Sequence, residues 1–282
     1  MSPQALEQTL RQCAMEQKIQ AFYPPQALSA IAQQIAASGA LEKVAADWRL
    51  PMEIAIDLVK LALFDTVLFI DDSGSMAFEE GGSRIDDLKL ILGRVAQVTS
   101  IFDSDGISCR FMNSREGGDG LRSEADAQGL ISRIRFTGLT PFGTQLNAKV
   151  IEPMVLQPAR ANALKKPVLI IAVTDGQPAG EDRGMLFRVI QNANNELARS
   201  RYGPDALSIQ IAQVGNDVKA RQFLEEIDSH PQIGGLVDCT SNYELEADEM
   251  SRANPPVELT PELWLVKMLL GAIDDSYDKQ DE

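Results

Sequence analysis

The run Val168-Leu169-Ile170-Ile171-Ala172-Val173, closed by Thr174-Asp175-Gly176, limits the fold more than any other stretch. Apolar residues without alternation leave no face for solvent. The segment therefore reads as a strand buried on both sides, as in a parallel sheet covered by helices on each face. A second run, Val67-Leu68-Phe69-Ile70, has the same character and ends in Asp71-Asp72-Ser73-Gly74-Ser75. In open α/β sheets, ligands gather beyond the carboxyl ends of strands at the point where strand order reverses. Two such runs would bring Asp71, Ser73, Ser75 and Asp175 to one place.

The elements between them alternate as a doubly wound sheet requires. Ser83, with Asp86 three residues on, reads as a capping box opening a helix through Leu88, Ile91, Leu92, Val95 and Val98. Strands are expected at 107–112, 207–214 and 236–239, and helices at 124–134, 185–199 and 218–227. Asp103-Ser104-Asp105-Gly106 reads as a turn, and Ser114 to Gly120 as a flexible loop. Residues 1–63 carry helical patterns without strand-like runs. Leu6, Leu10 and Cys13 share one helical face, residues 27–37 form an alanine-rich second helix, and Pro51 opens a third over 52–64. Phe22, Tyr23 and Trp48 are expected in the core. After the Pro255-Pro256 break, Thr260-Pro261-Glu262 caps a helix bearing Leu263, Val266, Leu269 and Leu270, followed by an acidic tail to Glu282. The expected organisation is an N-terminal helical extension (1–63), a Rossmann-like α/β domain with a mostly parallel, helix-flanked sheet (64–250), and a C-terminal helix with its tail (251–282).

Composition narrows the function classes. The chain has 282 residues, 44% of them hydrophobic, enough for one sizeable core. No apolar run approaches the length needed to span a bilayer, and the first residues lack the features of a secretory signal. Cys13, Cys109 and Cys239 are odd in number and scattered, which fits buried free thiols in a reducing compartment. An intracellular, cytoplasmic location is expected. The net charge of −15 argues against a nucleic-acid partner.

The alternating oxygens of Asp71, Ser73 and Ser75 can turn around one point if the chain reverses at Gly74. A site built of hard oxygen donors suits magnesium and disfavours zinc or copper, although Asp-Ser-Gly clusters are also ordinary turn chemistry. The stretch Gly138-Leu139-Thr140-Pro141-Phe142-Gly143-Thr144 opens a helical pattern and can add a hydroxyl. Together the three stretches resemble the von Willebrand factor type A (vWA) domain, whose metal-ion-dependent adhesion site (MIDAS) is written D-x-S-x-S, then Thr, then Asp. The resemblance covers roughly 64–250. It matches Asp71, Ser73, Ser75 and Asp175 and sets the threonine at Thr140, with Thr144 as the competing choice.

That resemblance implies Mg2+, with Mn2+ or Ca2+ as substitutes, held by the two serines and Thr140 directly and by one or both aspartates through water. It leaves a coordination position for an Asp or Glu of a partner protein. The expected function is a divalent-metal-dependent protein–protein interaction module without catalytic residues. The alternatives are a scaffold with a structural metal and a Mg2+-dependent hydrolase using Asp72 and Asp175. Phe78, in the loop Ala77 to Gly82, is expected on the recognition rim. His230 has no sequence context marking it as a catalytic base.

Overall fold

The computed structural model describes residues 1–253, 256 and 258–278. Pro255 of the expected chain break and residues 279–282 of the acidic tail lie outside the described residues. The two continuous apolar runs form neighbouring strands of a six-stranded sheet. Its strands are β1 (Asp65–Ile70), β2 (Ile107–Phe111), β3 (Gly117–Leu121), β4 (Val168–Thr174), β5 (Leu207–Gln213) and β6 (Val237–Thr240). They lie in the order β3-β2-β1-β4-β5-β6. All neighbours are parallel except the edge pair β2 and β3.

Alternate residues of the central strands enter two separate cores, which is why their sequences do not alternate. Leu68 and Ile70 of β1, with Leu169, Ile171 and Val173 of β4, face one core. Val67, Phe69, Ile170 and Ala172 face the other. The first core is covered by α1 (Pro3–Glu16), α2 (Pro25–Ser38), α3 (Ala40–Asp47), α4 (Met52–Asp57), α5 (Gly74–Phe78), α6 (Ser83–Phe102) and α7 (Glu124–Ile131). The second is covered by α8 (Phe142–Leu146), a π-helical continuation Asn147–Leu156, α9 (Gln157–Arg160), α10 (Met185–Ala198) and α11 (Val218–Asp228). After α12 (Tyr243–Arg252), α13 (Pro261–Leu270) returns to the first core, where Trp264, Leu265, Val266, Met268, Leu269 and Leu270 are buried. A short α14 (Asp275–Asp278) follows.

The helical patterns read from residues 1–63 place Leu6, Leu10, Cys13, Tyr23 and Trp48 in the same core as β1 and β4. Lys60 ties this segment to the end of the chain by pairing with Asp57 at 2.9 Å and with Asp274.

Several local expectations are corrected. The box at Ser83 does not form. The N-cap is Gly82, in a left-handed conformation with no side-chain cap, and Asp86 pairs with Lys89 instead. The box stands at Ser123 and Asp126, opening α7. The stretch read as a flexible glycine-rich loop contains β3, paired with β2, and Gly117 permits the close approach, since a Cβ there would lie 3.0 Å from Cys109 O and 3.3 Å from Arg110 Nη1. The helix expected over 52–64 tightens to a 3-10 helix at Leu58–Leu63.

Candidate functional site

The strand order reverses between β1 and β4, since β2 lies on the far side of β1 and β5 on the far side of β4. The carboxyl ends of β1 and β4 therefore frame the switch-point crevice. Asp71 extends the register by donating its N–H to Val173 O at 2.9 Å, and the chain turns into α5 at Gly74, whose N–H reaches Gly138 O at 3.2 Å.

Four of the five residues singled out in the sequence join one hydrogen-bonded knot. Ser73 and Ser75 share a hydrogen bond between their hydroxyls at 3.0 Å, and Ser75 donates to Asp175 Oδ1 at 3.0 Å. Asp71 accepts from Ser73 N–H at 2.9 Å through Oδ1 and from the Thr174 hydroxyl at 2.7 Å through Oδ2. Thr140 is buried beside them through its backbone, its carbonyl accepting from Ala179 and Phe142. Its hydroxyl enters no hydrogen bond among the described residues. Thr144, the competing choice, is exposed and donates its N–H to Glu181 Oε2 at 2.8 Å, which caps α8.

The electrostatics are set by residues the motif reading passed over. Arg84, 2% exposed, donates from Nη1 to Asp175 Oδ2 at 2.6 Å. Its Nε and Nη2 meet Glu80 Oε1 at 3.1 and 2.7 Å, and the same oxygen accepts Asn216 N–H at 3.1 Å. Burial works against ionisation of Glu80, yet Arg84 and the Asn216 amide outweigh it and hold the carboxyl below its ordinary value. Glu80 achieves this from a left-handed backbone (φ 51), an unfavourable conformation for a side-chain-bearing residue. Burial pushes the Asp71 carboxyl up to about 6, assisted by the nearby Asp175 charge and opposed by the bonds from Ser73 and Thr174.

Asp72 points away from the crevice. It is fully buried and accepts from Asn113 N–H at 2.7 Å, Asn113 Nδ2 at 3.2 Å and Ser114 N–H at 2.8 Å, closing the loop after β2. Lys149 grips that loop from the π-helical segment, donating to the carbonyls of Phe111, Met112 and Ser114 at 2.6 to 2.9 Å. Arg84 had a sequence signal, since it falls on the buried stripe of α6 with Leu88, Ile91 and Val95, where a charge demands a partner. Nothing in the pattern around Lys149 marks it.

This donor set does not fit the expected metal. Of the residues singled out, only Asp71 and Asp175 bring carboxylates to the crevice, and the Arg84 guanidinium already supplies positive charge to Asp175. Among the described residues there is no group of three or more His, Cys, Asp or Glu side chains that could hold a metal ion. No protein-family model matches the chain, and no curated protein matches it either. The vWA resemblance is therefore not sustained. With it fall the MIDAS reading, Mg2+ and its Mn2+ or Ca2+ substitutes, the partner's Asp or Glu on the metal, the structural-metal scaffold and the Mg2+-dependent hydrolase. What the structure defines is the broader class, a helix-flanked, mostly parallel α/β sheet of Rossmann-like type. No helix among the described residues is long and apolar enough to cross a membrane.

Two large apolar side chains stand exposed at this edge, Phe78 at 83% and Leu139 at 60%. A Cβ built on Gly74 would lie 3.9 Å from the Phe78 ring and from the carbonyl of Gly138, the residue before Leu139, whose own side chain lies beside Gly180. Val218, opening α11 on the β5 side of the same edge, is also exposed. His230 takes no part. Its ring packs on Phe187 with centroids 4.8 Å apart, and its Nδ1 accepts Gln232 N–H.

Proposed function

We propose that the chain is a non-catalytic recognition module that docks a basic polypeptide segment on the carboxyl edge of its sheet without a metal ion. The observation that carries this reading is the exposed pair Phe78 and Leu139 standing over a buried polar knot. Large side chains held in water beside a rigid, desolvated centre are what interfaces use as anchors. The net charge of −15 supports a basic partner by steering and by complementarity.

Several features support a binding rather than a catalytic role. Asp71, whose carboxyl is raised toward neutrality, is fully buried with each oxygen accepting a hydrogen bond. Ser75 donates to a carboxylate that is itself neutralised by Arg84, so that carboxylate is a weak base for activating a nucleophile. Residues 64–250 would carry the docking edge, with 1–63 and α13 (Pro261–Leu270) as cover of one sheet face. Cys13 and Cys109, buried thiols outside any disulfide, support an intracellular, cytoplasmic setting.

The test is selection from a displayed random peptide library in the presence of chelator, on wild type and on a Phe78→Ser/Leu139→Ser variant. Enrichment of peptides combining basic and apolar residues is expected, with affinity at least tenfold weaker for the variant. Equal affinity for the two proteins, or no enrichment of such peptides in chelator, would refute the reading.

A further inference from the structure

At the amino edge of the sheet, opposite the docking edge, a cleft of about 470 Å³ opens where the end of α1 and the 3-10 turn Gly271–Ile273 meet the first residues of β5 and β6. That volume lies in the range of small-molecule sites, roughly 300 to 1,000 Å³.

Its floor is the polar end of a sheet face that is otherwise apolar. Leu207, Ile209 and Val237 pack into the second core, so Ser208 and Asp238 turn to the opposite face, as successive side chains of a strand must. Gln210 shares that face and is fully engaged. Its Oε1 accepts Ala272 N–H at 3.1 Å, and its Nε2 donates to the Thr240 hydroxyl at 2.8 Å. The 3-10 turn is thereby held so near the sheet that Gly271 has no room for a Cβ against Asp238 Oδ2, which places this carboxylate beside the turn that walls the cleft. Ser208 and Asp238 are 8% and 9% exposed. The Ser208 hydroxyl makes no hydrogen bond among the described residues and keeps solvent-accessible surface, which the cleft provides. A side chain so far buried with its donor and acceptor both unused is a place for a ligand to bond.

The walls hold the same kind of group. Gln17 and Lys18 stand at the end of α1, Asn194 on α10 and Asp205 just before β5. None of these four side chains makes a hydrogen bond or ion pair among the described residues, although Gln17, Asn194 and Asp205 are half-buried. Lys18 follows the C-cap Gln17 in a left-handed conformation (φ 51), the position at a helix end where glycine is the ordinary residue. The backbone thus holds a cation at the wall where a residue without a side chain would fit more easily.

A cation, two carboxylates and neutral hydrogen-bonding groups on one cleft complement a ligand that carries charges of both signs. We infer that the cleft binds a small zwitterion of the amino-acid or dipeptide class. The ligand carboxylate pairs with Lys18, its ammonium with Asp205 and Asp238, and its amide groups with Ser208 and Asn194. Glu16, Asp205 and Asp238 outnumber Lys18 along the lining, which disfavours a phosphate ligand. No aromatic ring lines the cleft, so a flat apolar ligand has nothing to stack on. The site stands apart from the docking edge and does not rest on it.

The experiment is an NMR titration of the full chain with glycyl-glutamine and with free glutamine, following the Asn194 side-chain amide and the backbone N–H groups of Gly235 and Ala272. N-acetyl-glycyl-glutamine, which lacks the ammonium, and glycyl-glutamine amide, which lacks the carboxylate, are run beside them. Saturable shifts are expected with the zwitterions, and affinity at least tenfold weaker for each blocked form. Tighter binding of the dipeptide or of the free amino acid identifies which member of the class the cleft takes. Lys18→Gly removes the cation and relieves the left-handed backbone. This variant should resist urea at least as well as wild type while binding at least tenfold more weakly, and Asp205→Asn should weaken binding severalfold. Absence of saturable shifts with both zwitterions, equal binding of the blocked forms, or unchanged affinity in Lys18→Gly overturns the inference.

Discussion

Replacing Asp71 by Asn should stabilise the protein at neutral pH, by an amount the structure allows to be worked out. Burial raises this carboxyl from 3.8 to about 6, and each pKa unit corresponds to about 1.4 kcal/mol. Holding Asp71 ionised in the folded state therefore costs about 3 kcal/mol relative to the unfolded chain. The sign follows from the direction of the shift. Because the folded pKa lies above the unfolded one, the folded state binds the proton more tightly. Wild-type stability is favoured below the unfolded pKa, declines as pH rises from about 4 to about 6, and is level above that window as far as this group is concerned.

The Asp71→Asn side chain would keep both bonds of the native one. Its Oδ1 accepts from Ser73 N–H as before, and its Nδ2 donates to Thr174 Oγ1, whose own proton turns to Gly176 O, already 3.1 Å away. The assay is urea unfolding of both proteins at pH 4, 5, 6 and 7, taking the difference between variant and wild type so that other titrating carboxylates cancel. The difference should be near zero at pH 4 and grow to about 3 kcal/mol in favour of the variant at pH 7. Parallel curves, or a variant less stable at pH 7, would refute the argument that Asp71 is an uncompensated buried charge. Chelator should leave both curves unchanged.

Three further outcomes follow from the same contacts. Arg84→Met strips Asp175 of its buried counter-charge and should cost about 3 to 5 kcal/mol in urea unfolding, with Arg84→Lys recovering part of the loss. Lys149→Met leaves the carbonyls of Phe111, Met112 and Ser114 without their donor, so unfolding should lose about 2 kcal/mol and hydrogen exchange of the loop after β2 should quicken. Gly143→Ala drives a methyl to 2.5 Å from Leu186 N, where α8 meets the start of α10; a loss of about 1 to 3 kcal/mol is expected, and unchanged stability would mean the helices approach less closely.

The parts of the fold that were legible from sequence are those where burial on both sides writes itself into composition. β1 and β4 could be read because neither has a solvent face, and α10 and α11 because their apolar stripes are regular. β3 was not legible. Its residues Gly117-Gly118-Asp119-Gly120-Leu121 have no strand propensity, and the segment is extended because the edge of β2 templates it. The cap at Ser83 was misread because Gly82 adopts a left-handed conformation that leaves Ser83 inside the first turn. At the site, convergence of Asp71, Ser73, Ser75 and Asp175 was legible from two strand ends, whereas the charge balance was not. Whether two carboxylates await a cation depends on what faces them, and Arg84 reaches Asp175 across 91 residues of sequence.

The three acidic residues at this edge are treated in three different ways, and the difference bears on ligand binding. Asp72 is satisfied by three N–H donors, and Asp175 by Arg84. Asp71 is held by neutral hydrogen bonds against its burial, which is why its carboxyl stays near 6. Docking a basic segment acts on it through two opposed effects. Further dehydration would raise the pKa, and the ligand's positive charge would lower it. Asp71 is already 0% exposed, so docking has little hydration left to remove, and the charge effect should win. Binding should therefore release a fraction of a proton near pH 5.5, with affinity rising as pH increases through the window around 6. Calorimetric titration of a selected peptide in two buffers of different ionisation enthalpy measures this release directly. Asp71→Asn should abolish the Asp71 share of it, and an equal release from both proteins would place the titrating group elsewhere.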